Sequence, residues 1–322
     1  MSNDMVSAAG VRSIYAIILI TKEKGIRLDY RDGDNKMVKL IVLAISCLVA
    51  ASAAAEQAKF VMRPICKQGY HSVALGVPGN SLEAFKLAWK KGAKLIETDC
   101  WMIKSGRIIL VHDQKVLEIH SRQPQPPIKT FTDADVARID IGRAVKSAKP
   151  VRMAYLEDVF ATMPKDAVAQ CELCGYSDTF ADTFDALRVK AGLSETNIVL
   201  SGAISRLADF HRRYPKYKTI WLTSDFLKEK DLSAAIDKTI AAAKKSGIDI
   251  VCPRALTAKA KGLTLADAER FRAAGIGFRV WGVNDAELFA YAKSLKVEIF
   301  TCSKWEAAFE WAKAHPDVEI RP

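Results

Sequence analysis

Two acidic residues lie two positions apart at the end of a short apolar run, in the segment KLIETD at 94–99. The run predicts a strand, and side chains at positions i and i+2 of a strand point to the same face. Glu97 and Asp99 therefore point in one direction. Carboxylate oxygens are the ligands that hard cations prefer, so this spacing suits a metal site. A solvated strand end would show the same pair of residues.

A second apolar segment, 107–111, follows after only three residues, KSG at 104–106. A link this short cannot cross over to a parallel strand, so the two segments predict an antiparallel hairpin. If Ser105 and Gly106 form the turn, Lys104 pairs with Arg107, and the two residue numbers in every pair add to 211. Asp99 then lies opposite His112. A slip of one residue still brings His112 beside the carboxylates. The hairpin thus predicts two acids and an imidazole at one place.

The composition is that of an ordinary globular protein. Of 322 residues, 50% are hydrophobic and 26% are charged, and the length suits one large barrel or two modest domains. The formal net charge of +11 favours anionic substrates or membrane surfaces. The Lys and Arg residues are spread along the chain without an arginine-rich run or an interleaved aromatic motif, so we expect no nucleic-acid partner.

Residues 37–55 have the pattern of a signal peptide. A short basic start precedes an apolar core and three alanines that end at Ala55. The core is shorter than the ~20 apolar residues of a transmembrane helix, so we expect no stable membrane span. We expect export to the periplasm or the extracellular space, with translation starting at Met37 and residues 1–36 an over-extended reading frame. A buried apolar strand or helix is the alternative for 37–55.

Six of the seven cysteines lie after this segment. An even number in an exported chain permits disulfides, but the sequence does not define their pairing. Cys171 and Cys174 form a CxxC pair, which could be a redox pair or half of a zinc site. No second CxxC or HxxxH partner follows, and strand alternation places the two on opposite faces. We therefore expect Cys171 and Cys174 to be small buried hydrophobic residues, or to contribute to one disulfide.

From residue 56 to 322, strand patterns alternate with helical patterns. The predicted strands are 60–66, 94–99, 107–111, 167–173, 197–200, 218–222, 248–252, 277–281 and 297–301. The predicted helices are 81–91, 155–163, 179–191, 203–213, 231–245, 264–274, 285–294 and 305–314. Without the hairpin return, eight strand-plus-helix units remain, which is the number in a (β/α)8 TIM-type barrel. A doubly wound sheet is the alternative, but no GxGxxG turn supports it.

One long irregular stretch, 114–153, follows the hairpin and predicts an insertion on the rim of the barrel. Active sites of such barrels form at the carboxyl ends of the strands. Glu172 ends the strand next to that of Glu97 and Asp99, and is the natural third carboxylate for a metal. A surface salt bridge is the alternative for Glu172.

Across 60–310 the chain resembles the glycerophosphodiester phosphodiesterase family. The matching segments are PGNSLEAF at 78–85, IETD at 96–99, LVHD at 110–113, EL at 172–173 and VWGVN at 280–284. In this order and spacing the motifs are specific, whereas each alone would be weak. The resemblance implies a divalent cation, Ca²⁺ or Mg²⁺, held by Glu97, Asp99 and Glu172. It also implies hydrolysis of small glycerophosphodiesters to glycerol 3-phosphate and an alcohol.

The chain departs from the family's His-Arg-Gly motif, which reads Lys67-Gln68-Gly69 here. The resemblance implies His112 as the general acid for the leaving oxygen. The place of the second histidine is vacant or is filled by His71 from the following loop. Lys67 could instead hold a phosphate oxygen as a cation.

Two further family positions differ. Cys174 replaces the lysine of the Glu-Ile-Lys motif, and Cys302 replaces the aspartate of the terminal Thr-Asp. Trp281 at the barrel mouth would pack the glycerol or head group, with ordinary barrel packing as the alternative.

Two classes of function follow. The first is an exported, metal-dependent phosphodiesterase acting on a glycerophosphodiester or a lipid-derived substrate. The second is a non-catalytic relative that binds a phosphodiester, lipid head group or sugar phosphate at the same barrel mouth. The retained acids and His112 favour the enzyme, because a pure binder needs no general acid. Lys67, Gln68 and Cys174 favour the binder and put full activity in doubt.

Overall fold

A computed structural model describes residues 59–322. The predicted signal peptide and the residues before it lie outside this part of the chain. The strands are β1 (Phe60–Lys67), β2 (Leu95–Met102), β3 (Ile108–Leu110), β4 (Val168–Gly175), β5 (Ile198–Gly202), β6 (Lys218–Leu222), β7 (Ile250–Cys252), β8 (Gly277–Phe278), β9 (Val280–Trp281), β10 (Ile299–Cys302) and β11 (Val318–Ile320).

Eleven α-helices alternate with these strands in the described residues. They are α1 (Leu82–Lys90), α2 (Gln114–Ser121), α3 (Asp133–Arg138), α4 (Leu156–Thr162), α5 (Phe180–Lys190), α6 (Ile204–Arg213), α7 (Leu232–Lys245), α8 (Ala255–Ala260), α9 (Leu265–Ala273), α10 (Ala286–Ser294) and α11 (Trp305–Lys313). Short 3₁₀ turns lie at Ile128–Thr130, Glu195–Asn197 and Asp225–Lys228.

The parallel strands follow the order β8-β7-β6-β5-β4-β2-β1-β10-β9. Only Arg279 separates β8 from β9, so these two form one interrupted strand. Its first half pairs with β7 and its second half with β10, which closes a cylinder of eight parallel strands. The predicted (β/α)8 TIM-type barrel is confirmed.

The apolar core lies mainly between the cylinder and its outer helices. Helix α1 shows how the sequence builds this layer. The Ser81 hydroxyl accepts a hydrogen bond from the Ala84 amide at 3.1 Å and so begins the helix. Phe85 and Ala88, three residues apart, then lie on the buried face. Capping and periodicity together fix this helix beside the end of β1.

The hairpin exists, but its predicted register is wrong by one residue. β2 pairs with β3 so that Cys100 lies opposite Leu110, which makes the numbers of paired residues sum to 210. The Val111 amide donates to the Asp99 carbonyl at 3.0 Å, so Asp99 faces Val111 rather than His112. The cause is the turn. The Ile103 amide donates to the Arg107 carbonyl at 3.0 Å, so the loop has three residues, 104–106, and not two. Gly106 adopts the positive φ of 81° that such a loop requires.

The rim insertion is more regular than the sequence indicated. It contains α2, α3 and a 3₁₀ turn, and these elements cover the outer side of the hairpin. Leu117, Phe131 and Val136 pack there against Ile109 and Val111 in a separate apolar cluster. The helices were missed because they are short and flank a proline-rich segment. Their packing holds the segment that follows β3, which carries His112.

Candidate active site

The register of three neighbouring strands brings the predicted site residues together. Lys67 pairs with Glu97 across β1 and β2, and Asp99 pairs with Glu172 across β2 and β4. A cavity of about 340 Å³ opens at these strand ends. Among the predicted site residues, those that line this catalytic cavity are Lys67, Glu97, His112, Glu172 and Trp281.

Asp99 lies beneath this catalytic cavity and is fully buried. Its Oδ2 atom accepts hydrogen bonds from Gln68 Nε2 at 2.8 Å and from Asn80 Nδ2 at 2.7 Å. Its Oδ1 atom is buried without a hydrogen-bond partner among the described residues. An unpaired buried carboxylate oxygen costs free energy unless a ligand satisfies it. This oxygen is therefore available to a ligand such as a cation or a water molecule.

The two amide side chains that hold Asp99 were not predicted from the sequence. Gln68 and Asn80 adopt left-handed backbone conformations, with φ 56° and φ 58°. The backbone N–H of Asn80 also donates to the backbone carbonyl of Gln68 at 2.9 Å, so the two residues are joined by a main-chain hydrogen bond. Non-glycine residues in this region are strained, and such strain is typical of functional sites. The segment PGN before α1 was the available signal, because it places Asn80 immediately before the helix cap.

A third residue of the site that was not predicted is Cys174. Ligand atoms of Asp99, Glu172 and Cys174 lie within 4.8 Å of one another, whereas Glu97 is outside this group. The signal was the spacing Glu172-Leu-Cys174, which matches Glu97-Thr-Asp99 and places both side chains on one face of β4. Two carboxylates and a thiol fit a divalent cation, since oxygen ligands suit hard ions and sulfur suits zinc.

His112 is held from two directions. Its Nδ1 atom lies 2.6 Å from Asp113 Oδ2, and its backbone carbonyl accepts a hydrogen bond from Trp101 Nε1 at 3.3 Å. A carboxylate at Nδ1 favours the tautomer that carries its proton there. The other ring nitrogen, Nε2, is then the atom available for proton transfer at the cavity.

Known proteins share both sequence and fold with this chain. The model of the glycerophosphoryl diester phosphodiesterase family matches residues 71–302. The chain belongs to this family. The Bacillus subtilis protein YhdW is 28% identical over 149 residues, which are 45% of this chain and 60% of that protein. The Bacillus subtilis glycerophosphodiester phosphodiesterase is 28% identical over 120 residues, 36% of this chain and 40% of that protein. These alignments therefore span less than two thirds of either relative.

Solved structures share the fold at lower sequence identity. The glycerophosphodiester phosphodiesterase of Parabacteroides distasonis has a TM-score of 0.62 and 15% identity, covering 80% of this chain and 99% of that one. The Oleispira antarctica phosphodiesterase in complex with sn-glycerol-3-phosphate has a TM-score of 0.60 and 14% identity, covering 79% and 98%. These similarities confirm the barrel.

In this member of the glycerophosphoryl diester phosphodiesterase family, Lys67 occupies the acidic centre. Its Nζ atom lies 3.4 Å from Glu97 Oε1, and the Gln68 amide donates to Glu97 Oε2 at 3.3 Å. Burial acts to lower the pKa of Lys67, but the charges of Glu97, Asp99 and Glu172 outweigh it and raise that pKa. Burial acts to raise the pKa of Glu97, and the positive charge of Lys67 opposes that rise. The chain therefore carries a cation of its own beside the acids.

The structure does not bring His71 into the catalytic cavity. Its Nδ1 atom lies 3.3 Å from the Gly69 carbonyl oxygen, and the side chain lines a different cavity of about 230 Å³ with Tyr70 and Glu306. Gly69 holds this loop against α1, because a Cβ there would lie 2.8 Å from the Ala84 backbone. The geometry gives no support for His71 as a replacement for the family's first histidine.

The cysteines form no disulfide within residues 59–322. Cys171 is buried in the core, whereas Cys174 lies at the site. The two therefore sit on opposite faces of β4, and the CxxC is not a redox pair in this arrangement. Within the same residues, no helix is both long enough and apolar enough to span a membrane.

Proposed function

We propose that this chain is a metal-dependent phosphodiesterase that hydrolyses small glycerophosphodiesters to glycerol 3-phosphate and an alcohol. The observation that carries the proposal is the Oδ1 atom of the fully buried Asp99, which has no hydrogen-bond partner among the described residues. Asp99 lies next to Glu172 and beneath a cavity lined by His112. A phosphodiester carries a negative charge that must be neutralised during cleavage. A site with an open cation position and a nearby imidazole meets that requirement.

The residues that would hold the cation are Asp99 and Glu172, with Cys174 in the same group and Glu97 beside Lys67. When bound, a divalent ion neutralises phosphate oxygens and lowers the pKa of a coordinated hydroxyl. The family resemblance implies Ca²⁺ or Mg²⁺ for this role.

The side chains around this position have separate tasks. His112 in its imidazolium form, with Nδ1 held by Asp113, donates the Nε2 proton to the leaving oxygen and becomes the neutral imidazole that carries its proton on Nδ1. Lys67 binds a non-bridging phosphate oxygen through its ammonium group. Trp281, which also lines the cavity, packs against the glycerol or the head group.

A second candidate is binding without turnover. The ion pair between Lys67 and Glu97 favours it, because the lysine places a cation where the family has a histidine. Such a protein would retain affinity for a phosphodiester while lacking one of the two proton-transfer groups. General acid–base catalysis contributes roughly 10²–10⁴-fold per group, so loss of one histidine predicts a slow enzyme rather than an inactive one.

The test is hydrolysis of glycerophosphocholine and of bis(p-nitrophenyl) phosphate by the full chain with Ca²⁺, Mg²⁺ or a chelator. We expect the chelator to abolish activity and His112→Ala to lower kcat by about 10²–10⁴-fold. His315→Ala, which removes a histidine outside the site, serves as the control. An unchanged kcat in His112→Ala would exclude the assigned role. Binding of glycerophosphocholine without product would favour the second candidate.

We also propose that the chain is exported and that residues 56–322 form the mature protein. This proposal rests on the pattern at 37–55, which lies outside the described residues. N-terminal sequencing of the exported protein tests it, with Glu56 expected as the first residue.

A further inference from the structure

Two arginines point into the barrel near the end opposite the catalytic cavity. Arg63 is four residues before Lys67 on β1, and Arg279 is two residues before Trp281. Because side chains alternate along a strand, both arginines share the inner face with these cavity residues. Arg63 pairs with Ile299 across β1 and β10, and the β10–β9 register places Ile299 next to Arg279. The two guanidinium groups therefore approach the same part of the interior.

Neither guanidinium group has a carboxylate partner in the part of the chain that the structure describes. Arg63 Nε is buried and makes no hydrogen bond there. Burial lowers the pKa of Arg279, and the charge of Arg63 lowers it further, against an opposing effect of Cys252. Burying a charge is costly unless it is paired, and two like charges add repulsion to that cost. A bound anion would remove both penalties.

A cavity of about 300 Å³ leads to Arg279 from the amino-terminal face of the barrel. We call it the basal cavity. Arg272, Lys296 and Glu298 also line it, and it shares no residue with the catalytic cavity. Arg272 is already engaged by Glu269 and by two backbone carbonyls. Among the described residues that line this cavity, Arg279 and Lys296 are therefore the cations that remain for a ligand, and the exposed Glu298 is the one acid.

We propose that the basal cavity binds a small phosphate-bearing anion, either inorganic phosphate or a phosphate monoester, through Arg279 and Lys296 with Arg63 behind them. The planar guanidinium group presents paired donors that match the oxygens of a phosphate. The volume admits a phosphate group and a few carbon atoms. Charge and shape together exclude a cationic or extended apolar ligand.

The test is thermal unfolding of the full chain in chloride buffer and after addition of inorganic phosphate, glycerol 3-phosphate or acetate at matched ionic strength. At ten times the dissociation constant, we expect phosphate to raise Tm by roughly 2–5 °C, with acetate having little effect. Arg279→Leu is expected to raise Tm in chloride, because it removes a half-buried charge that has no carboxylate partner among the described residues, and to lose the phosphate shift. Arg212→Leu, which removes an exposed arginine, should keep the shift.

Phosphate could also bind in the catalytic cavity, so the two sites must be separated. Lys67→Met removes the catalytic-cavity cation and should keep the shift, whereas the exposed Lys296→Ala should reduce it. Comparison of inorganic phosphate with glycerol 3-phosphate identifies the preferred source. No shift in the unmodified chain would overturn the proposal. The proposal would also be overturned if Lys67→Met lost the phosphate-induced rise in Tm while Arg279→Leu and Lys296→Ala kept it. Neither result bears on hydrolysis, which is measured separately.

Discussion

Cys174 is the residue whose chemistry most changes the expected metal site. The family resemblance implies three carboxylates, but the atoms that the structure groups come from Asp99, Glu172 and Cys174. Sulfur is a soft ligand that suits zinc and related ions, whereas Mg²⁺ and Ca²⁺ prefer oxygen. Glu97, in turn, is engaged by Lys67. We therefore expect the metal preference of the proposed site to depend on one thiol.

We predict that Cys174→Ser lowers the affinity for Zn²⁺ by about tenfold or more and leaves the affinity for Mg²⁺ nearly unchanged. Isothermal titration measures both. A second readout is the sulfur-to-metal absorption of the Co²⁺-loaded chain, which the substitution should abolish. Cys252→Ala removes a buried thiol outside the group and should keep this absorption. Equal Zn²⁺ affinity in both variants would show that Cys174 is not a ligand.

The residues predicted from the sequence are those that strand alternation and local motifs specify. Glu97 and Glu172 line the catalytic cavity because they point inward from two neighbouring barrel strands, and His112 lines it because it follows β3, the hairpin partner of β2. The roles of Gln68 and Asn80 could not be predicted in this way. Both depend on left-handed backbone conformations that bring two loops together, and no side-chain periodicity records such a contact.

At the scale of elements, Asp113 links the hairpin to helix α2. Its Oδ1 accepts a hydrogen bond from the Val116 amide at 2.7 Å and so caps the helix, while its Oδ2 lies beside His112. One oxygen of this carboxylate therefore caps the helix, and the other holds His112, the general acid of the proposed reaction. Asparagine at this position can still cap the helix, but it does not provide the negative charge beside His112.

This division predicts different results for two substitutions. Asp113→Ala should lower the free energy of unfolding by about 1 kcal/mol, because the cap is lost. Asp113→Asn keeps the cap and loses only the charge, so it should lower the free energy of unfolding by less than Asp113→Ala does. Both should reduce kcat, because His112 loses its anionic partner. Urea unfolding and turnover of bis(p-nitrophenyl) phosphate measure the two effects. Asp231→Ala removes the cap of α7 and should lower stability without reducing kcat.

The same carboxylate predicts a pH dependence. Burial acts to raise the pKa of Asp113, but the hydrogen bonds from Val116 and His112 outweigh it and lower that pKa. A group with a lowered pKa stabilises the folded chain above its unfolded pKa of about 3.9 and loses this effect as pH falls through the folded value. The difference in stability between the unmodified chain and Asp113→Asn should therefore disappear in acid.

The contact between the end of β1 and helix α1 depends on Gly69. We predict that Gly69→Ala lowers the free energy of unfolding by roughly 2–4 kcal/mol, because the left-handed conformation is strained and the new Cβ meets the Ala84 backbone. Gly262 has a similar φ of 75° and open space around it, so Gly262→Ala should lose only about 1 kcal/mol. Equal losses by urea unfolding would exclude the clash.

At the scale of the whole molecule, the barrel was predictable because eight strand-plus-helix units repeat along the chain. The elements that were missed are short or non-repeating. Helix α8 has six residues, and β11 pairs with the start of β1 from the far end of the chain. The hairpin register depended on a turn conformation rather than on apolar pattern. Long-range pairing and turn geometry leave weak signals in a single sequence.

The net charge of +11 yields a prediction about substrate encounter. A positively charged molecule attracts anionic ligands over distances near the Debye length, about 10 Å at 0.1 M salt. We expect kcat/KM for a glycerophosphodiester with an anionic head group to fall by about threefold or more between low and physiological ionic strength. Glycerophosphocholine, whose net charge is zero, should change much less under the same divalent-ion concentration. Parallel decreases for both substrates would show that salt acts on the site itself rather than on the encounter.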